Sequence, residues 1–342
     1  MAARTLVGLD VGSKFVKAVQ LTDNNGSLTI SAFGCMEVPP QYSIPDAVSE
    51  LFSRRKFRTK RVVSSVSGRF VFVRYINMPV MTDEELVNAS KYELGKYIPV
   101  EVDEVLHDSQ RLEELPVQEG QEPEMRVLLV AAKRTFVEEH VSILETAGLT
   151  PTIVDVDSFA LGNAYELTAR LKTDAVRPGS LVALVDVGAS KTNINIMSDG
   201  LSFFTREFYK GGNDLSEAIS KRLALELREA EMLKRNPGDD MDRVQDCVAA
   251  PLDDICHDIN ISVDYFENQF DKQIQELLLM GGASATAGLQ ETLEKTVNKP
   301  VSRWNPTKNL PAQLDPESQN ELEEWGHQGV IALGLAARIV KE

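Results

Sequence analysis

Cysteine is scarce in this 342-residue chain: Cys35, Cys247 and Cys256 are odd in number and too widely spaced for a disulfide framework or a zinc site. They read as reduced structural thiols. Histidine is scarce as well, and His107, His140, His257 and His327 are scattered, which gives a His-based triad or metal cluster no support. No apolar stretch approaches the roughly 20 residues that span a bilayer, so direct membrane insertion is not expected. The first residues enter a strand-like run without a charged-then-apolar leader, which makes the cytoplasm the expected location. Basic charge is in deficit: 36 Lys and Arg against 52 Asp and Glu leave a net charge of −16. That excludes the basic footprint by which a general nucleic-acid binder displaces counterions, and it favours solubility or a basic partner.

What is present is ordinary for a globular protein, 43% hydrophobic and 26% charged, with length for about two domains. Its most informative feature is an internal repeat. Residues 6–14 read LVGLDVGSK and residues 182–191 read VALVDVGASK. In each copy an apolar strand ends in Asp-Val-Gly, a Ser and a Lys follow, and a second strand begins, over residues 15–21 or 192–197. Glycine supplies the permissive backbone of each hairpin turn. Two copies half a chain apart imply two duplicated lobes.

In the first lobe, residues 27–38 read as a strand, 45–54 as a short helix, and 61–66 and 70–76 as strands rich in β-branched and aromatic residues. Residues 78–148 read as an inserted module. Thr82 to Glu85 is a capping-box signature opening a helix to about Lys96, and Thr135 with Glu138 offers a second. Residues 102–112 and 125–132 read as strands joined by an acidic loop, residues 113–124. The second lobe begins after the Pro178-Gly179 breaker. It carries a long apolar stripe from Val244 to Phe270 with an expected interruption at Pro251, then a buried strand over 276–280 running into Gly281-Gly282, and a final helix over 329–340.

A hairpin ending in Asp-Val-Gly-Ser-Lys can turn successive backbone N–H groups onto phosphate oxygens, an anion nest that needs little side-chain charge. Ser13 adds a hydroxyl and Lys14 a counter-charge, while Asp10 at the strand end suits a Mg²⁺ ion that keeps most of its waters. The second copy offers Asp186 as carboxylate, Gly188 and Ala189 as the turn, and Ser190, Lys191 and Thr192 as polar contacts. Single hairpins of this kind are mostly ordinary turns, but a facing pair can hold a polyphosphate from both sides. In residues 277–293, LLLMGGASATAGLQETL, a strand, two glycines and a helix permit close approach by a planar ligand. A tight strand-to-helix turn is the plainer reading, and Gly211-Gly212 shares that ambiguity.

These pieces follow the order of the actin, heat-shock chaperone and sugar-kinase superfamily: phosphate loop, connecting segment, second phosphate loop, adenosine loop. The form DVGASKTN of the second loop resembles the type IV pilus assembly protein PilM family. So do INMPVMTDEELVNASKYELGKYIPVEVDEV from Ile76, VLLVAAKRTFVEEHVSILETAGLTPTIVDVDSFAL from Val127, YKGGNDLSEAI from Tyr209, AEMLKR from Ala230 and LLLMGGASATAGL from Leu277. The resemblance covers nearly the whole chain. It implies an α/β, actin-like two-lobed ATPase fold of duplicated RNase H-like lobes, with an inserted subdomain of the 1C (SHS2) type found in the cell-division protein FtsA. The implied boundaries are 1–78 and 149–178 for the first lobe, 79–148 for subdomain 1C, 179–325 for the second lobe, and 326–342 for a helix returning to the first.

The resemblance also implies ATP and Mg²⁺ as ligands, with Asp10, Gly12, Ser13 and Lys14 in loop one and Asp186, Gly188, Ala189, Ser190, Lys191 and Thr192 in loop two. Asp10 and Asp186 would meet the metal through water. Gly211, Gly212, Glu231, Lys234, Gly281, Gly282 and Ala283 would lie near ribose and adenine. Glu231 and Lys234 share a helix face, which fits one ligand or an exposed ion pair, and both readings stand. The implied role is a pilus (or related type II secretion) assembly component, peripheral to the inner membrane, docking the cytoplasmic N-terminal peptide of a PilN-like membrane protein. Leu86, Tyr92, Leu94, Tyr97 and Ile98 are the candidates for that groove, with core packing the alternative for each. A small-molecule kinase would need a general base, for which Asp157 is the one weak candidate, and it is also placed to cap a helix. An FtsA-like membrane-associated filament protein would need an amphipathic basic anchor, whereas residues 329–340 read as a packed helix. Slow or absent hydrolysis is therefore expected.

Overall fold

The computed structural model describes residues 4–39, 41–116, 120, 122–171 and 179–340. The middle of the expected acidic loop, Pro178 of the breaker with the last residues of the segment 149–178, and residues 341–342 lie outside that set. The chain divides into two compact units, Met1–Ser65 with Ala147–Glu342, and Val66–Thr146.

The first unit opens with an antiparallel meander of β1 (Arg4–Val11), β2 (Phe15–Asn24) and β3 (Ser27–Glu37). Asn25 and Gly26 take positive φ in the β2–β3 turn, which is the pattern that Asn-Gly hairpins favour. Helix α1 (Ile44–Arg54) begins at a Ser43–Asp46 capping box, and β4 (Arg61–Val66) then runs parallel to β1.

The second unit comprises β5 (Val71–Pro79), α2 (Asp83–Leu94), β6 (Val105–Glu114), β7 (Glu124–Lys133) and α3 (Arg134–Thr146). Its sheet has the order β5-β7-β6. Met125, Val127, Leu129 and Ala131 alternate onto one face of β7 and share a core with Leu86 and Leu94 of α2. Thr82 and Glu85 form the expected capping box. The second box does not form. Strand β7 passes directly into α3 at Arg134, so Thr135 lies inside the helix and no loop residue is left to cap it. The strand expected from Val102 opens with a 3₁₀ turn and pairs only from Val105.

Back in the first unit follow β8 (Thr150–Val156), α4 (Asp157–Leu171), β9 (Val182–Val187), β10 (Thr192–Ser198) and β11 (Leu201–Phe208). Next come α5 (Gly212–Leu223), α6 (Leu227–Arg235), α7 (Met241–Phe270) and β12 (Glu276–Met280). The chain closes with α8 (Leu289–Val297), β13 (Val301–Arg303), α9 (Pro316–Trp325) and α10 (Val330–Ala336). The two sheets have the orders β3-β2-β1-β4-β8 and β11-β10-β9-β12-β13. Both are a meander followed by two strands on the far side of its first strand, so the sequence repeat is a repeat of topology.

Strand β9 is buried on both faces. Ala183, Val185 and Val187 enter one core with α5, α7 and α8, while Val182 and Leu184 enter another with α4 and α10. That second core also takes Leu6, Val19 and Leu21 from the first sheet, so α4 and α10 join the two lobes. The interruption expected at Pro251 is absent: α7 runs 30 residues through it. Val248, Leu252 and Ile255 carry the buried stripe past the proline, and their packing offsets the roughly 3 kcal/mol that an interior proline costs.

Every residue of α10 is buried, and a 3₁₀ turn over Ala337–Val340 ends it. Small residues make the contact possible. A Cβ at Gly334 would lie 1.8 Å from Ala160 O, and one at Gly8 2.0 Å from Ala332 O. Gly334→Ala is therefore expected to cost about 3 kcal/mol by forcing α10 from α4. Urea unfolding should show a lower midpoint at unchanged m-value. A midpoint equal to that of the wild type would mean that the helices separate freely.

Candidate functional site

The two Asp-Val-Gly turns close alike: Gly12 N donates to Phe15 O at 3.0 Å and Gly188 N to Lys191 O at 2.9 Å. They also face each other, with Ser13 Oγ and Ser190 Oγ 3.0 Å apart. Gly12 is constrained by space, since a Cβ there would stand 2.8 Å from Phe15 O and 3.0 Å from Lys17 Nζ. Asp10 and Asp186, one at the base of each turn, are both buried.

Lys17, which motif reading passes over, donates to Asp10 Oδ2 at 2.9 Å. Its counterpart in the second copy is Asn193, whose Nδ2 stands 3.5 Å from Asp186 Oδ2. Strand register was the signal that could have found both: Asp10 pairs with Lys17 across β1–β2 as Asp186 pairs with Asn193 across β9–β10. Burial pushes Asp186 up to about 6; Lys17 opposes the rise, and the charges of Asp10 and Asp157 add to it. Burial likewise raises Asp10 against the pull of Lys17, with Asp157 again adding. Three carboxylates thus share a low-dielectric site with two ammoniums, Lys17 on Asp10 and Lys191 on Asp157, which leaves Asp186 as the carboxylate in excess. Among the described residues no group of three or more His, Cys, Asp or Glu side chains is arranged to grip a metal ion directly. Two carboxylates orienting the waters of a hydrated Mg²⁺ fit this donor set better than a protein cage.

Asp157 opens α4, and its carboxylate receives Ser65 Oγ at 2.6 Å and Lys191 Nζ at 2.9 Å. Lys191 also reaches Glu207 at 2.9 Å; burial works against its charge, but Asp157 and Glu207 push its pKa up. Its ammonium is thus tied down beside the turn. Thr192 is fully buried and donates to Lys210 O at 2.9 Å, so its hydroxyl holds the backbone and the expected ligand contact is corrected.

Gly212 N and Asn213 N donate to Gly188 O and Ala189 O at 2.9 and 2.7 Å, which staples the start of α5 to the second turn. A Cβ at Gly211 would meet Gly188 O at 2.6 Å. Gly281 has φ +93°, and a Cβ there would fall 2.2 Å from Asp186 Oδ1. The close approach at this glycine is made by Asp186 itself. Ala283 is buried and its N donates to Val187 O at 2.9 Å, while Gly282 lies against Gln328. The helix expected directly after these glycines starts only at Leu289.

Lys234 is only 6% exposed, which removes the reading of an exposed ion pair with Glu231. Its Nζ donates to Glu231 Oε2 at 2.7 Å, Gly212 O at 2.7 Å and Ser216 Oγ at 2.8 Å. Lys14 Nζ adds a contact to Glu231 at 3.3 Å. Burial opposes the charge of Glu231, but Lys234, Ser216 and Lys14 hold its pKa down at about 2.

A family model described as type IV pilus assembly protein PilM matches residues 8–340. The chain belongs to the PilM family. A solved PilM–PilN type IV pilus biogenesis complex is similar at a TM-score of 0.83 and 28% identity, covering 98% of this chain and 99% of that one. MreB5 of Spiroplasma citri bound to AMPPNP is similar at a TM-score of 0.51 and 11% identity, over 99% of this chain and 96% of that one, which shows the actin-like fold. Cell division protein FtsA of Bacillus subtilis (strain 168) is 23% identical over 264 residues, 68% of this chain. The chain spans 58% of the length of that curated relative.

The five residues suggested for a docking groove of this PilM-family chain separate in the structure. Leu86, Leu94 and Ile98 are buried in the core of the unit Val66–Thr146 and are not free to line a groove, which corrects that expectation. Their spacing on and after α2 serves the sheet they cover. Tyr92 is 77% exposed and Tyr97 40%.

Proposed function

We propose that this PilM-family chain binds ATP with Mg²⁺ between its paired hairpin turns and acts in type IV pilus assembly by docking the cytoplasmic N-terminal peptide of a PilN-like inner-membrane protein. The observation that carries the nucleotide reading is the pair of facing turns, Ser13 to Ser190 at 3.0 Å, with a buried carboxylate at the base of each. Gly12 N and Gly188 N close the turns, and the backbone N–H groups of residues 13–14 and 189–190 would cradle the phosphates, with Asp10 and Asp186 orienting the waters of the metal. Bound Mg²⁺ would neutralise charge on the polyphosphate. Glu231 would accept from the ribose hydroxyls while Lys234, its three donors already used, holds that carboxylate in place, and residues 281–283 would lie on the adenine side. A thermal-shift titration tests this reading: at 100 times its Kd, Mg·ATP should stabilise the fold by about 2.7 kcal/mol, and no shift would sink it.

Turnover is expected to be slow. Asp157 is held by Ser65 and Lys191, and a carboxylate locked in an ion pair does not position water or accept a proton readily. Steady-state hydrolysis should fall well below the roughly 1–100 s⁻¹ of kinases and change little in Asp157→Asn. A kinase-like rate abolished by that substitution would reverse the assignment.

The partner reading is supported by the similarity to the chain of the PilM–PilN complex and by charge. Cytoplasmic segments beside a membrane helix are rich in Lys and Arg, and a net charge of −16 is complementary to them. Among the described residues no helix is long and apolar enough to cross a membrane, so the partner would supply the attachment to the inner membrane. The unit Val66–Thr146 would be the inserted 1C subdomain and the docking module, with Tyr92 and Tyr97 as the exposed aromatics. A fluorescent PilN-type N-terminal peptide should bind the intact chain, and replacing residues 80–148 by a short linker should abolish that while ATP binding survives. Equal peptide affinity in both would move the partner site elsewhere.

A further inference from the structure

We infer that α6 carries a clasp joining the two lobes beside the hairpin turns, that Arg235 is its pin, and that its strength sets how fast nucleotide leaves. This deepens the nucleotide reading of the same site and rests on it. Arg235 ends α6 in the second lobe, yet its guanidinium stands 5.0 Å from the ring centre of Phe15 and 5.6 Å from that of Trp325. Phe15 begins β2 directly after the first turn, and Trp325 ends α9, which packs on β3, so both rings belong to the side of the first sheet. The rings themselves are 5.8 Å apart, so one planar cation bridges a matched aromatic pair.

The same helix makes a second crossing. Arg235 Nε donates to Glu231 Oε1 at 2.8 Å, and the other oxygen of Glu231 lies 3.3 Å from Lys14 Nζ in the first turn. Arg235 therefore links the aromatic pair to the carboxylate on which Lys14 and Lys234 converge. The lobes are joined through the shared core of α4 and α10 and again, by polar and cation–π contacts, at α6. The turns also touch at Ser13 and Ser190, and lobes held by a packed core and by such contacts cannot swing apart until the weaker joins open. The clasp is the weaker, because Arg235 and Lys14 retain partial access to water whereas the α4–α10 core is dry. Nucleotide held between facing turns leaves only when they separate, so the clasp gates release.

Release of N-methylanthraniloyl-ADP with Mg²⁺, chased with excess ADP in a stopped-flow fluorimeter, tests this. Arg235→Gln, which keeps length and loses the cation, is expected to release the probe at least 10-fold faster. Trp325→Leu, which removes a ring and leaves the Arg235–Glu231 pair in place, should also accelerate release, and acceleration by Arg235→Gln alone would place the effect in Glu231 and overturn the clasp. Equal rates in all three proteins would overturn it too. Hydrogen exchange separates this outcome from failure of the nucleotide reading. If the wild type takes up no probe, faster exchange of the amides of residues 12–14 and 188–190 in both variants upholds the clasp, and unchanged exchange removes it.

Discussion

Glu231→Gln should destabilise the first unit by about 3 kcal/mol, more than removal of any exposed charge, because it strands the ammonium of Lys234 in a site that is nearly dry. Lys234 would keep only neutral acceptors, Gly212 O, Ser216 Oγ and at most the amide oxygen at position 231. The reverse deletion, Lys234→Met, should cost less, since Glu231 keeps Lys14, Arg235 and Ser216. If the pair acts as a unit, the double variant will cost less than the sum of the singles by about 1–3 kcal/mol. The pH dependence has a definite sign. Glu231 sits at about 2 in the folded chain, below its ordinary 4.5, so its stabilisation is full above pH 4.5 and fades as pH falls toward 2. Urea unfolding at pH 7 and at pH 3.5 should therefore show the gap between wild type and Glu231→Gln narrowing with acid. A gap that widens would mean that Lys234 and not Glu231 governs the pair.

Much of this was legible in sequence because its signals are local. The Asp-Val-Gly repeat announced two like lobes, and the matching sheet orders bear that out. The capping boxes divided by context: Thr82 follows a loop and caps, whereas Thr135 follows a strand that runs straight into its helix. Pro251 misled because propensity is a weak prior once both flanks of a helix are pinned by core packing. Lys17 and Asn193 were missed for another reason. Each lies on the return strand, outside the turn that motif reading attends to, and only register brings it opposite its carboxylate. The pairing of Glu231 with Lys234 on one helix face is legible, but its burial is not, because nothing on α6 says that the stapled start of α5 comes to rest on Lys234. The clasp of Arg235, Phe15 and Trp325 lies beyond any motif, since its members are far apart in the chain and joined only by the fold.

Asp10 and Asp186 match each other in the repeat, but their surroundings predict different outcomes on removal, and this asymmetry is the sharpest test of the site. Asp10→Asn and Asp186→Asn should each weaken Mg·ATP binding by about 100-fold, about 2.7 kcal/mol, because a neutral amide no longer holds the waters of the cation. Their effects on the ligand-free fold should have opposite signs. Asp10 is paired with Lys17 at 2.9 Å, so Asp10→Asn takes from that buried ammonium its hydrogen-bonded carboxylate, leaves it the weaker pull of Asp186, and lowers stability. Asp186 has no such partner; its neighbour is the amide of Asn193, and burial with two further carboxylates pushes it up to about 6. An acid whose folded pKa exceeds its ordinary 3.8 is stabilising in its protonated form, and at pH 7 its charge is held at a cost. Asp186→Asn should therefore raise the ligand-free stability by about 1 kcal/mol at pH 7 while destroying the site, and the gain should vanish as pH falls through about 6 toward 4. Calorimetry at fixed Mg²⁺ with thermal unfolding at pH 7 and pH 5 reads both effects. Unchanged ATP affinity in both variants would remove the metal role, and a ligand-free Asp186→Asn less stable than wild type at pH 7 would show that this carboxylate belongs to the fold and not to a cation that the fold is built to receive.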